Sequence, residues 1–217
     1  MNKLISFSLW GNNPKYTIGA IKNAELAKEI YPGWICKFYA SHDVDNEILN
    51  TLAKLDCEII SMPDSGWNGM FWRFLAADSD NIVLSRDTDS RLNQREKEAV
   101  DDWLNTDKDF HIMRDHPYHA THILGGMWGC RNGILKGISD LIEQFDKGVY
   151  DNKWQVDQIF LSHVVYPKVM NKSMVHDEFF EKQPFPSERI DNEYVGAAFD
   201  ENDNLLIDIH GNTYETK

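Results

Sequence analysis

Two aspartates spaced two residues apart, Asp87 and Asp89, follow the short apolar run Ile82-Val83-Leu84-Ser85 and are flanked by Arg86 and Arg91. A short apolar run of this kind reads as a buried strand. In open α/β sheets, ligands sit beyond the carboxyl ends of the strands. In extended chain, residues i and i+2 project to the same side, so the two carboxylates share a direction. Placed so, they repel unless a cation joins them. Oxygen donors suit Mg²⁺ or Mn²⁺, and such an ion is held by one or two carboxylates and takes further ligands from substrate phosphates. The spacing therefore predicts a metal–diphosphate site. An acidic turn or a helix cap would also use two aspartates, but neither needs a strand in front and an arginine on each side.

Two other uses of the pattern fail. A phosphatase with an aspartyl nucleophile wants Thr or Val where Arg91 stands, and has its motif near the N-terminus. An EF-hand loop starting at Asp87 would put Leu92 where glycine is needed and the cation Arg91 at a ligand position.

Three further groups are candidates. Trp10, Gly11, Asn12 and Tyr16 follow the first apolar run; an aromatic ring with nearby amides suits a planar base, while Trp10 as a core residue beside a plain turn fits equally. Residues 113–122 hold Asp115, His116, His119 and His122. Pro117 interrupts any helix there, so the histidines share no single face, and zinc is not expected; the segment is either a solvent-exposed loop or a contact surface, with Asp115 on sugar hydroxyls or His116 and His119 on the acceptor. Asp157 and Gln158 lie among Val156, Ile159, Phe160 and Leu161, where a polar pair must cap a helix or face a cleft.

These groups need a scaffold. The 217 residues are close to one domain at roughly 100–200 residues each. Apolar runs at residues 4–9, 34–39, 58–62 and 82–85 alternate with helical patterns at 19–30, 46–55, 70–77 and 94–104. That alternation predicts βαβ units and a parallel sheet. Residues 110–113 and 123–130 read as strands and 138–145 and 154–165 as helices. Residues 194–199 and 205–209 flank a turn, with 205–209 expected to tie the tail down as a strand. No internal repeat, low-complexity segment or long linker stands out. The expected architecture is α/β: a single domain, with a mixed, mostly parallel central sheet flanked by helices. Its first half, about 1–105, would bind nucleotide, and 106–217 would face the acceptor.

Composition narrows the function. Lys and Arg total 22 against 35 Asp and Glu, a formal charge of −13, which disfavours nucleic acid as partner. Cys36, Cys57 and Cys130 have no paired spacing, pointing to a reducing compartment. No membrane span and no cleavable leader are read in the sequence. The expected location is the cytoplasm, a host's cytoplasm for a viral chain.

With these residues in place, the sequence resembles the GT-A glycosyltransferases, Rossmann-like domains that use a DxD-held metal to transfer sugar from a nucleoside diphosphate. The resemblance is to small retaining enzymes of large algal viruses and bacterial polysaccharide clusters, and it spans almost the whole chain. Asp87-Thr88-Asp89 matches the DxD. Residues 70–75 (MFWRFL) resemble the helix that sets an arginine, here Arg73, at the donor. Residues 123–129 (ILGGMWG) resemble the loop approaching the donor sugar, implicating Gly125 and Gly126. Residues 156–161 (VDQIFL) resemble the "DQ" helix near the anomeric carbon. Asp208-Ile209-His210-Gly211 resembles the tail whose histidine completes the metal shell.

The resemblance implies Mn²⁺ (or Mg²⁺) on Asp87, Asp89 and His210. It implies a UDP- or GDP-sugar donor contacted by Trp10, Gly11, Asn12, Tyr16, Arg73, Arg86, Asp87, Asp115, Gly125 and Gly126. Asp157, Gln158 and Arg73 would serve catalysis, with retention of configuration and a glycan or glycoprotein acceptor. An inverting enzyme would instead need Asp157 or Asp115 as base. The competing functions are a non-catalytic nucleotide-sugar or carbohydrate-binding domain and a metal-dependent nucleotide-sugar phosphohydrolase.

Overall fold

The computed structural model of the chain describes residues 1–63, 66–145 and 155–213, with backbone alone at 66 and 67. A seven-stranded sheet forms its centre. The strands are β1 (Lys3–Leu9), β2 (Ile35–Ser41), β3 (Glu58–Met62), β4 (Ile82–Ser85), β5 (Phe110–Arg114), β6 (Trp128–Cys130) and β7 (Ser173–Asp177), in the order β3-β2-β1-β4-β6-β5-β7. All neighbours are parallel except β6, which runs antiparallel to both β4 and β5. The α/β class with a mixed, mostly parallel sheet is thus the observed one.

Both faces are buried at the centre of the sheet, so β1 and β4 read as nearly continuous apolar runs. Side chains one residue apart enter different cores. Leu4, Val83, Phe110 and Trp128 join one, with the 3-10 segment Gly66–Ala77 and the helices α4 (Ile138–Gln144) and α5 (Val156–Phe160). Ile5, Phe7, Phe38 and Leu84 join the other, beneath α1 (Pro14–Ile30), α2 (Asn46–Lys54) and α3 (Gln94–Leu104). Phe110 stacks on Trp128 with centroids 5.5 Å apart, and Phe74 lies 5.5 Å from the same ring. Truncating a ring this buried costs about 3–5 kcal/mol.

Several boundaries differ from the sequence reading. Helix α1 begins at Pro14, five residues earlier than expected, because Asn13 caps it by accepting from Lys15 N and proline suits the first turn. Residues 123–127 are not strand; only Trp128–Cys130 pair. Strand β7 was not expected. Its His176 and Asp177 look too polar for a buried strand, but His176 meets His111 and Asp177 pairs with Arg114. Of the expected helix 154–165, Trp154 lies outside the described residues; α5 starts at Val156, and a π-helical turn Leu161–Val165 follows, leading into α6 (Tyr166–Val169).

The tail carries a short repeat that the sequence reading overlooked. Asp200 and Asp208 each accept, through Oδ1, from the backbone N–H two and four residues on, and through Oδ2 from Asn204 and Asn212. These turns leave residues 205–209 as isolated bridges, not the expected strand.

Candidate active site

The chain passes from β1 out to β2 and β3, then returns to β4 on the opposite side of β1. The carboxyl ends of β1 and β4 therefore flank a topological switch point, where open sheets bind ligands. A cavity of about 590 Å³ opens there, within the usual range for small-molecule sites. Trp10, Tyr16, Arg73, Asp87, Asp89 and Asp157 are among its lining residues.

Buried serines fix the floor. Ser6 Oγ donates to Arg73 O at 2.8 Å, and Arg73 N donates to Ser8 Oγ at 2.9 Å, tying the 3-10 segment to β1. The Arg73 guanidinium then reaches into the cavity: Nη1 lies 2.7 Å from Asp87 Oδ1, Nη2 2.9 Å from Asp157 Oδ2, and Nε donates to Gly125 O at 3.2 Å. Ser85 Oγ donates to the same carbonyl at 2.7 Å.

The two glycines explain why this backbone can come so close. A Cβ on Gly125 would sit 2.2 Å from Arg73 Nη2 and 2.5 Å from Asp157 Oδ2; one on Gly126 would sit 2.0 Å from Asp87 Oδ2. Residues 123–127 leave the sheet to lie over the Asp87–Arg73–Asp157 array, which is why they form no strand.

The segment after β4 is held from below by Asn23. Its Nδ2 donates to Thr88 O at 3.2 Å and Ser90 O at 2.8 Å, and its Oδ1 accepts from Leu92 N at 3.0 Å. Gly19 permits this contact: a Cβ there would lie 2.1 Å from Thr88 O. Asp89 pairs with Lys15 at 2.7 Å.

Burial pushes the Asp87 carboxyl above its usual range; Arg73 opposes, and Asp89 and Asp157 add to the rise. This holds although 42% of the side-chain surface still faces the cleft. Burial also raises Asp157, against the pull of Arg73. A cluster of carboxylates with shifted ionisation in a cleft is a recurrent mark of a functional site.

The structure brings together Trp10, Tyr16, Arg73, Asp87, Asp89, Gly125, Asp157 and Gln158, with Gly126 against Asp87. Other expected residues lie elsewhere. Arg86, next to Asp87 on extended chain, points the opposite way into the core, where Nε donates to Glu96 at 3.0 Å. Asp115 is fully buried and saturated by Arg95, Arg189 and Val195 N. Gly11 and Asn12 bond the loop at Asp43. His116 Nε2 donates inside the fold to Asp208 O at 2.9 Å, whereas His119 does line the cavity.

His210 is exposed and lines a different cavity with Arg189, Asn192 and Phe179. Among the described residues no group of three His, Cys, Asp or Glu is placed to hold a metal. The two carboxylates facing one cleft nonetheless fit a hard cation that fills its remaining positions with diphosphate oxygens and water. Arg73 and Lys15 occupy the same carboxylates as counter-charges.

Sequence reasoning missed Asn23, Lys15, Ser6, Ser8 and Ser85. The serines had a signal, since a hydroxyl inside an apolar strand must find a partner. Asn23 and Lys15 had none.

No protein-family model matches the chain, and no curated protein matches it. Similar solved structures include glucosyl-3-phosphoglycerate synthase from Mycobacterium tuberculosis in complex with uridine diphosphate, 13% identical over 87% of this chain and 73% of that one, with a TM-score of 0.45. The same enzyme in complex with Mn²⁺, UDP-glucose and glycerol 3-phosphate is 12% identical with the same coverage, 87% and 73%, and a TM-score of 0.45. A further structure of that enzyme, at 12% identity and again 87% and 73% coverage, gives 0.47. No helix among the described residues is long and apolar enough to cross a membrane.

Proposed function

We propose that the chain is a GT-A-type glycosyltransferase that moves a sugar from a nucleoside-diphosphate donor, UDP- or GDP-linked, to an acceptor hydroxyl with the help of Mn²⁺ or Mg²⁺. The observation that carries this reading is the placement of Asp87 and Asp89 at the end of β4, facing one cavity at the β1/β4 switch point, with Arg73 braced between Asp87 and Asp157.

Asp87 and Asp89 would hold the cation, which when bound neutralises charge developing on the departing diphosphate. Trp10 and Tyr16, at the β1 end of the cleft, offer ring surface to the base. The backbone at Gly125 and Gly126 would close over the donor sugar, its position fixed by Ser85 and Arg73. Arg73 keeps Asp157 anchored beside the site of transfer and supplies a fixed positive charge near the phosphates. Charges held in advance in a water-poor cleft are usually the largest catalytic contribution.

The reading extends to retention of configuration. Asp157 is committed to Arg73 at 2.9 Å, which suits a charge stabiliser beside the anomeric carbon better than a base free to take a proton. NMR of freshly formed product decides this: the donor's anomer is expected, and the opposite anomer would make Asp157 the base. The cytoplasm, and kinship with viral or bacterial polysaccharide enzymes, belong to the same proposal.

The primary test is calorimetry of UDP and GDP with Mn²⁺ and with EDTA. Chelation should weaken binding of the preferred nucleotide at least about tenfold, the scale of a disturbed metal shell. Equal affinity in both buffers would remove the metal–diphosphate site. Acceleration of nucleotide release by an added acceptor then separates transfer from simple hydrolysis.

A further inference from the structure

A second cavity, of about 340 Å³, borders the large cleft. Gln155 and Gln158 line both, so these two side chains stand between the two spaces, next to Asp157. Its other polar walls are Tyr118, Thr121, Ser162 and His163.

Each wall is built into place. Gln155 holds a left-handed backbone, φ 65°, which is uncommon for a residue with a side chain and recurs at functional sites. Its carbonyl accepts from Gln158 N at 3.1 Å and Ile159 N at 3.2 Å, so the two glutamines form one turn. Ser162 and His163 sit in the π-helical turn between α5 and α6, a feature often found at functional sites. Ser162 Oγ and Thr121 Oγ1 are 3.2 Å apart. The loop carrying Thr121 is held by Arg114, whose Nη1 donates to Thr121 O at 3.2 Å. Tyr118 is 68% exposed yet not loose. Its N–H donates to His116 Nδ1 at 3.0 Å, and Gly211 lies against its hydroxyl, where a Cβ would come within 2.5 Å.

The chemistry of these walls is selective. Hydroxyls and amides both donate and accept, matching the hydroxyls of a polyol. An exposed tyrosine offers a flat apolar face with a polar rim. No Lys, Arg, Asp or Glu is among the described lining residues. Among the described lining residues a phosphate or carboxylate would meet no lysine or arginine, and a chain of formal charge −13 would repel it further. The volume is at the low end for small-molecule sites, enough for a small acceptor unit.

We propose that this cavity is the acceptor subsite and that it takes a neutral, polyhydroxylated acceptor, a sugar without phosphate or carboxylate. The proposal rests on the glycosyl-transfer reading of the larger cleft. The attacking hydroxyl would enter past Gln155 and Gln158; as the bond from its oxygen to the anomeric carbon forms, the bond from that carbon to the diphosphate oxygen breaks, and the hydroxyl proton leaves with the diphosphate.

The test uses the full chain with Mn²⁺ and the nucleotide sugar it binds most tightly by calorimetry. Nucleotide release is followed with 4-nitrophenyl glycosides of glucose, galactose and mannose, with their 6-phosphates, and with 4-nitrophenyl glucuronide. A neutral glycoside should accelerate release at least about tenfold, and the phosphorylated and carboxylated compounds should not. Ser162→Tyr, which fills the cavity, should raise the acceptor KM about tenfold or more while donor affinity stays within about twofold. Tyr118→Ala, at an exposed position, should raise the same KM with an unchanged melting temperature. Acceleration by the charged compounds, none by any neutral one, or an unmoved KM in both variants would overturn the acceptor assignment while donor binding stands. Absence of metal-dependent donor binding would overturn the transferase reading and this proposal with it.

Discussion

Arg73 and Asp157, 84 residues apart in the chain, form a buried ion pair at 2.9 Å across the floor of the cleft. The pair ties the 3-10 segment Gly66–Ala77 to α5, and its second guanidinium nitrogen holds Asp87 at 2.7 Å. One planar cation thus fixes two carboxylates that would otherwise repel each other.

Removing that cation should be costly, and more so in base. Breaking a buried pair costs about 3–5 kcal/mol; the low end applies here because Asp87 is partly open to the cleft. At about 2–4 °C per kcal/mol for a chain of this size, Arg73→Ala should lose roughly 6–12 °C of melting temperature. Both carboxyls already titrate above their usual range, and loss of Arg73 raises them further. A raised carboxyl stabilises the fold below its unfolded pKa and loses that contribution as pH rises through the folded value. The deficit should therefore be larger at pH 8 than at pH 5. Calorimetric scans at both values check this, and an equal deficit would show that the carboxylates do not depend on Arg73. Arg73→Lys, with its charge but no fork, should fall between.

Gly126→Ala should damage the site more than the fold. The added Cβ would lie 2.0 Å from Asp87 Oδ2 and 2.9 Å from Asp87 N, so either the loop or Asp87 must move. Overpacking of this kind costs about 1–3 kcal/mol of stability. A displacement near 1 Å of a positioned site group can cost on the order of a hundredfold in function. Unimpaired metal-dependent nucleotide binding in this variant would mean that Asp87 holds no metal.

Asp89→Ala and His210→Ala should separate cleanly. Asp89 faces the cleft, and its loss should weaken Mn²⁺-dependent nucleotide affinity by about 10–100-fold with little change in melting temperature. His210 lies in another cavity, and its loss should leave that affinity within about twofold. A large effect of His210→Ala would require the tail to move onto the metal.

Acid should weaken the fold through its histidines. Burial, helped by His176 and Arg86, holds His111 well below the ordinary imidazole range; burial also lowers His176, and it lowers His119 to about 3, with His116 adding. A depressed histidine contributes stability above its unfolded pKa of roughly 6.5, and that contribution is lost as pH falls toward the folded value. The melting temperature should drop between pH 7 and pH 5. His119 Nδ1 accepts from Asp115 N at 3.1 Å, a bond that an asparagine oxygen can replace. His119→Asn should thus fall less steeply with acid than the parent chain. Identical slopes would show that His119 does not titrate in this window.

Much of the scaffold was legible in the sequence because it depends on local pattern. Apolar runs bounded by turns placed β3 at Glu58–Met62 and β4 at Ile82–Ser85, and the apolar face of Ala99, Val100 and Trp103 placed α3 at Gln94–Leu104. Burial of both faces at the centre of the sheet makes a run such as β4 conspicuous. The Asp87-x-Asp89 spacing was also conspicuous in the sequence, although a turn at Thr88–Asp89, closed by Ser90 Oγ donating to Asp87 O at 2.9 Å, and not extended chain, places both carboxylates on the cleft.

What the sequence could not determine is which charges meet. The same alternation that aims Asp87 at the cleft aims Arg86 away from it, but only the presence of Glu96 beneath shows the core to be a tolerable place for a guanidinium. Strand β7 escaped notice because His176 and Asp177 become buriable only through His111 and Arg114, 65 and 63 residues distant. Gly125 and Gly126 read as part of a strand until the Arg73 and Asp87 side chains beneath them are in place. Hydrophobic periodicity is a property of neighbours along the chain and so is written in the sequence. The cost of burying a charge is set by a partner across the fold, and so the tertiary structure alone decided it.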